Sequence, residues 1–492
     1  MSSTTTQTET QIRTLNVDHT WADPDALRGR FAAAMSAMYR EEVPLYGDLM
    51  GLVRDVNDEA LNRGTSQTNT RSSPESLAAE RHGAIRLGTP FELQTVRRIF
   101  SVLGMYPVGY YDLSVAGLPM HATCFRPTQV QSLDVNPFRV FTTLLRPDLI
   151  QRDEARTLAW KMLQNRKIFT DALLALLDVA DAQQGRLDED QAAVFIPQAL
   201  QTFSWQHLAA STYKEYQILR AEHPILADIA CFRTAHINHL TPRTLDISAM
   251  QIAMKEAGMN VKSRIEGPPA RKCPILLRQT SFLALEESVQ FLKDGNARDS
   301  PSPDESELIQ ATHKARFGET EERGAAVTAK GRQLYDKLLS ESMSRTVGLS
   351  VQAADAVSRE IFRRFPDDWS ELRQQGLIYC EFSLARKPAE TPVSKRDEKM
   401  SLLEQLIDDG IVTFRPITYE DFLPFSAAGI FQSNLQSQKG LDLKPPVSDF
   451  EGLVKALGVK PMDMEDWYAQ AQRQSLELVG RELGFGEQEW WS

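Results

Sequence analysis

Two stretches far apart in the chain follow one plan: a short strand pattern, a turn, an apolar-periodic helix, then Gly-Met. The first is residues 80–105 and the second is residues 228–259. His82 stands 22 residues before Gly104, and His236 stands 22 residues before Gly258. A recurring strand–turn–helix unit reads as an internal repeat of the fold. The pattern predicts an α+β chain with a central β core of two βαβββ-like modules and added helical segments, not a doubly wound sheet.

The rest of the chain divides around these units. Residues 1–22 are polar and read as a disordered lead with no secretory signal. Residues 23–80 carry apolar spacing of three and four. They read as two helices parted near Val43-Pro44, the first capped by Asp23 with Pro24 in its first turn. The first β module spans 81–146, and a helical insertion spans 147–225. The second β module, with inserted helices, covers 226–447, and C-terminal helices cover 448–492. Within it "DIACFRTAHINHLT" and "CPILLRQTSF" read as strands, and "LKDGNARDSPSPDESE" as a polar excursion. "HKARFGETEERG" reads as a strand running into a helix, with Glu321 and Glu322 as first-turn acids.

Bulk chemistry removes several function classes. The formal net charge is −11, which argues against a general nucleic-acid or acidic-membrane binder. No apolar run approaches the roughly 20 residues of a membrane span. Cys124, Cys231, Cys273 and Cys380 are too scattered for a disulfide framework, so a reducing, cytoplasmic setting fits. No strand is followed by G-x-G-x-x-G, and G-x-x-x-x-G-K-[ST] and G-x-S-x-G are missing. Dinucleotide, P-loop and serine-hydrolase readings therefore fail.

What remains is a metal reading. In "ERHGAIRLG" the strand alternation turns His82, Ala84 and Arg86 to one face. Such a face either meets water at an edge or lines a cavity, with His82 on a metal and Arg86 on an anion. "HINHLT" offers His236 and His239, three apart and so on opposite faces of a straight strand. The repeat register favours His236, the turn residues after His239 favour that one, and spacing leaves both open. Two histidines with one carboxylate suit Fe(II) with open positions for a chelating substrate and dioxygen. Glu319 in "RFGE" is the best acidic candidate. Each residue alone also has a plain reading: His82 and His239 as core histidines, Glu319 as a solvated acid, Arg86 as a salt-bridge partner. His121 and His313 compete on equal terms.

The blocks "VPLYGDLMGLV", "ERHGAIRLGT", "GMYPVGYYDLS", "HINHLTPRTLDI", "PILLRQTSF", "ARFGETEERGAA", "KGRQLYDKLL" and "YEDFLPFSAAGIFQSNL" together resemble the 2-oxoadipate dioxygenase/decarboxylase family over residues 25–485. That family is related to the vicinal-oxygen-chelate superfamily. The resemblance implies a vicinal-oxygen-chelate β core, Fe(II) as cofactor, and conversion of 2-oxoadipate and dioxygen to D-2-hydroxyglutarate and carbon dioxide in lysine breakdown. It places the metal ligands on His82, His239 and Glu319, against the repeat register, and the carboxylate-binding arginine on Arg86. It sets Phe425 and Ser426 beside the substrate, with Ser426 among the catalytic candidates. Phe425 is bulkier than the residue of the bacterial pattern, which bears on chain-length preference. Arg278 is a further candidate substrate contact, and Gln279 a support to the ligands. The implied partners are a small 2-oxo dicarboxylic acid and dioxygen, with no nucleic acid and no membrane. A non-redox isomerase or lyase of the same superfamily is the competing expectation. A fold that had lost its chemistry would be expected to lack one of the three ligands.

Overall fold

A computed structural model describes residues 20–63, 80–294, 305–386, 401–423, 448–485 and 490–491. Phe425 and Ser426, the polar lead through residue 19 and most of the polar excursion lie outside the described residues.

The chain opens with helices Pro24–Glu42 and Pro44–Asn62, parted at Val43. The Asp23 side chain accepts the first free backbone N–H groups, and Pro24 sits where no N–H is needed. Next come strand β1 (Glu80–Leu87), helix Pro90–Val102, and strands β2 (Tyr106–Asp112), β3 (Met120–Arg126) and β4 (Arg139–Leu145). This is one βαβββ module. Its strands lie in the order β2-β3-β4-β1, with β1 parallel to β4. Ile85, Leu87, Val140 and Leu144 pack on one face with Leu93, Val96, Ile99 and Phe100 of the helix. The opposite face carries His82, Ala84 and Arg86.

Three helices of the insertion follow, Asp153–Gln164, Asp171–Ala182 and Glu189–Phe203. The insertion is not wholly helical, because strand β5 (Leu208–Thr212) interrupts it. The expected strand at "DIACFR" is a helix instead. Pro224–Ala230 is helical, with Pro224 in the first turn and the His223 ring accepting the Ile225 N–H. The true strand β6 is only His239–Pro242, antiparallel to β1 with Ala84 opposite His239. Gly83 permits this approach, since a Cβ there would stand 2.7 Å from Ile237 Cδ1.

The second module repeats the first. After β6 come helix Ile247–Glu256, a bent segment 261–266 that bridges at its two ends to Phe282 and Gln279, and strand β7 (Leu277–Ser281). A hairpin of β8 (Glu286–Leu292) and β9 (Leu308–Lys314) is inserted and pairs with β5. Then β10 (Glu319–Arg323) runs antiparallel to β7 and bridges in parallel to the end of β6 at Arg243–Glu321. The order 261–266, β7, β10, β6 thus mirrors β2-β3-β4-β1. Segment 319–323 is therefore a strand and not the start of a helix, so Glu321 and Glu322 are not first-turn acids. The next helix begins only at Ala329. Strands β11 (Cys380–Leu384) and β12 (Val412–Pro416) form a separate ladder, and helices Phe450–Leu457 and Met464–Leu483 close the chain.

The residues after β12 return to the core as a charged plug. Asp421 accepts from Arg126 Nε and Nη2 at 2.8 and 3.0 Å and from the Tyr468 hydroxyl at 2.7 Å. Glu420 pairs with Arg139. Asp421→Ala leaves Arg126 buried without its counter-charge, which is expected to cost about 3–5 kcal/mol. Denaturant unfolding against wild type checks this, and a loss under 1 kcal/mol would contradict it.

Candidate metal centre

The seam between the modules brings His82, His239 and Glu319 together, one from the first strand of each module and one from β10. A ligand-competent atom from each lies within 4.8 Å of the others, and all three side chains are buried. Nε2 of His82 and Nε2 of His239 stand 3.2 and 4.0 Å from Oε1 of Glu319. The imidazole planes are perpendicular, with centroids 5.4 Å apart.

Surrounding groups hold these three in place. Glu319 Oε1 accepts from Gln279 Nε2 at 2.7 Å and from the Thr241 hydroxyl at 3.2 Å. Gly318, just before it, has no room for a Cβ against the Phe282 ring and Leu49. The Tyr39 hydroxyl, from the first helix, reaches the carbonyls of Asn238 and Phe317 at 3.0 and 2.8 Å, and so ties the two ligand-bearing segments together. Phe317 stacks on His239 at 4.6 Å, and Phe422 stands edge-on to His82 at 4.7 Å.

Electrostatics favour a neutral imidazole and a bound cation. Burial, with the charges of His82 and Arg86, holds the His239 imidazole well below its ordinary pKa, so its lone pair is available. Glu321 Oε2 stands 2.9 Å from His82 Nδ1, and Arg323 grips the same carboxylate through Nε and Nη2 at 2.7 and 2.8 Å. Burial alone would raise the Glu321 pKa, but Arg323 and His82 outweigh it and hold the group well below the usual range. A carboxylate on the far ring nitrogen fixes the tautomer and direction of a metal-binding histidine. Both ring nitrogens of His82, Nδ1 of His239 and Oε2 of Glu319 are buried without a hydrogen bond, so the cluster carries buried polar atoms that its protein neighbours leave unmet. Two imidazoles and one carboxylate fit Fe(II) with open positions.

The remaining candidates fall elsewhere. Arg86 lies on the His82 face, with Nη1 2.5 Å from Asp228 Oδ2. His236 is not with His82, so the repeat register misassigns it: its Nε2 lies 3.2 Å from Asp228 Oδ1. His313 joins the same carboxylate at 2.8 Å, and His121 lies near Tyr110. Arg278 is turned away from the centre. It neighbours Gln279 on β7 and therefore faces the opposite side, where it reaches the Pro268 carbonyl and Glu322. Glu321 was missed as a support to His82. Its signal is the alternation Glu319, Glu321, Arg323, which only a strand turns to one face.

The profile of a family described as 2-oxoadipate dioxygenase/decarboxylase matches residues 31–434. The chain belongs to this family. It is 44% identical over 479 residues to the 2-oxoadipate dioxygenase/decarboxylase of Pseudomonas putida, covering 95% of this chain and 98% of that one. It is 45% identical over 461 residues to the Escherichia coli enzyme of that name, covering 93% and 98%. The crystal structure of the P. putida hydroxyglutarate synthase in complex with 2-oxoadipate superposes with a TM-score of 0.80, at 42% identity, over 94% of this chain and 99% of that one. The mixed helix-and-sheet architecture thus matches the family's implied β core.

In this member of the family the ligand assignment is open to direct test. His239→Ala is expected to abolish Fe(II) binding in anaerobic calorimetric titration, while His236→Ala retains it. Glu321→Gln should weaken binding by roughly 10–100-fold. The reverse order for the two histidines would overturn the assignment.

Proposed function

We propose that the chain is an Fe(II)-dependent 2-oxoadipate dioxygenase/decarboxylase that converts 2-oxoadipate and dioxygen to D-2-hydroxyglutarate and carbon dioxide, acting in lysine breakdown in the cytoplasm. The observation that carries this reading is the buried His82–His239–Glu319 set, with one ligand atom of each within 4.8 Å of the others, in a chain so close to enzymes of that name. No helix among the described residues is long and apolar enough to cross a membrane. The cysteines are all free and buried, which fits a reducing setting.

His82, His239 and Glu319 would hold the metal. Bound there, Fe(II) supplies open coordination positions and the electrons that let dioxygen react with a 2-oxo acid. The protein's own contribution is orientation. Glu321 aims His82, while Gln279 and Thr241 donate to Oε1 of Glu319 and hold its carboxylate beside the two imidazoles. Phe317 and Phe422 pack against the two imidazoles and keep water from them. Arg86 stands four residues along β1 from His82, on the same face, where its guanidinium would meet the distal carboxylate of a substrate chelated through its 2-oxo acid end. A guanidinium orients a carboxylate better than an ammonium does, through paired parallel hydrogen bonds. Fixing both ends of the chain fixes which hydrogen next to the new carboxylate is exposed, and so the D configuration.

The decisive experiment is dioxygen uptake by the Fe(II)-loaded protein on addition of 2-oxoadipate, with chiral analysis of the product. One dioxygen consumed per D-2-hydroxyglutarate formed is expected. Turnover with Zn or Ni and no dioxygen would instead support a non-redox isomerase or lyase. Arg86→Ala is expected to lose about 2–5 kcal/mol in kcat/KM for 2-oxoadipate, and unchanged kinetics would remove Arg86 from the site.

A further inference from the structure

Beside the metal centre lies a second buried cluster, whose Asp228, His236 and His313 the chemistry above does not use. Asp228, on the short helix Pro224–Ala230, is almost wholly buried. Its Oδ2 takes Nη1 of Arg86 at 2.5 Å. Its Oδ1 is shared by Nε2 of His313 at 2.8 Å and Nε2 of His236 at 3.2 Å. The other ring nitrogen of His313 is held by the Tyr216 hydroxyl at 3.1 Å. Trp205 lies parallel to His313 and edge-on to His236, with centroids 6.2 and 4.7 Å away. The four polar groups come from β1, the helix before β6, the loop leading into β6, and β9 of the inserted hairpin. Three stretches distant in sequence therefore converge on one carboxylate, and that carboxylate ends on Arg86.

We propose that Asp228, braced by His236 and His313, is a positioning residue that sets the direction of the Arg86 guanidinium, and with it the preference for a dicarboxylic substrate. This rests on the reading of Arg86 as the group that meets the distal carboxylate. An arginine side chain has many rotamers, and one anchored corner removes most of them before substrate arrives. A carboxylate held by one partner could itself turn. The hydrogen bond from His313 to Oδ1 and the close approach of the His236 ring stop that rotation, and the aromatic walls stop the imidazoles. The arrangement also accounts for His236, whose place in the repeat suggested a ligand. It serves the substrate arginine and not the metal. The inserted β8–β9 hairpin gains a role by the same argument, since it delivers His313.

The test separates positioning from general support of the core. Anaerobic calorimetry on the Fe(II)-loaded full chain gives Kd values for 2-oxoadipate and for 2-oxohexanoate, which has the same chain but no distal carboxylate. Wild type is expected to prefer 2-oxoadipate. Asp228→Asn keeps the shape and removes the charge, and is expected to reduce that preference by roughly ten- to a hundred-fold. Fe(II) affinity and 2-oxohexanoate binding should stay within about two-fold. His313→Gln is milder and should move the preference in the same direction, which keeps the test usable if Asp228→Asn folds poorly. Combining Asp228→Asn with Arg86→Ala should cost no more than Arg86→Ala alone, because both act through one group. Equal losses for the two ligands, or additive losses in the double variant, would overturn the proposal. If Arg86→Ala itself leaves the preference intact, the fault lies with the reading of Arg86. If Arg86→Ala erases the preference and neither Asp228→Asn nor His313→Gln alters it, the fault lies with the tether alone.

Discussion

The contact on which the centre depends is between Glu321 and His82. A carboxylate this deeply buried is tolerable only with its charge met and its oxygens bonded. Arg323 meets it on both oxygens, and Arg323 in turn donates to the carbonyls of Tyr419 and Asp421 at 3.0 and 2.6 Å. That fixes the returning segment, which sets Phe422 against His82. One chain of charge therefore orders β1, β10 and a segment about 100 residues later. Such a chain adds little net stability compared with an apolar packing of the same volume, but its loss leaves an unpaired buried charge. Its value lies in direction: Glu321 beside Nδ1 keeps Nε2 of His82 facing Glu319.

The two-module plan explains why the centre forms where it does. The first strands of the modules, β1 and β6, pair antiparallel, so each contributes a histidine to the same seam. In each module the fourth strand runs parallel beside the first, β4 beside β1 and β10 beside β6. Glu319 thus arrives from the second module at the position where the first module has β4. Gly83 and Gly318, next in sequence to His82 and Glu319, let apolar side chains pack closely behind these two residues: Ile237 and Leu240 at the first, Phe282 and Leu49 at the second.

The fold class, the two opening helices, the first module and the strand carrying His82 were readable from apolar periodicity and caps. The clustering of His82, His239 and Glu319 was not, because the three are spread over 238 positions and spacing could not choose between His236 and His239; only the family resemblance chose. Two segments misled for distinct reasons. "DIACFR" is a short apolar run, for which helix and strand look alike, and the deciding signals were His223 and Pro224 ahead of it. "ETEER" is entirely polar, so hydropathy gave it no buried face. Its burial depends on partners, Gln279, His82 and Arg323 among them, that become visible only in three dimensions.

His236 and His239, three residues apart, end in different clusters because the strand begins only at His239. The loop before it leaves His236 to turn toward Asp228, while His239 turns toward Glu319. Arg86 is bound to the first cluster and His82 belongs to the second, and both project from one face of one strand. On the proposed reading β1 is then a ruler. Its fixed rise of about 3.3 Å per residue sets the span between the metal end and the carboxylate end of the substrate site. A strand cannot be adjusted by one residue without turning the whole face over. Chain-length preference would therefore change through the groups at either end, not through the strand itself.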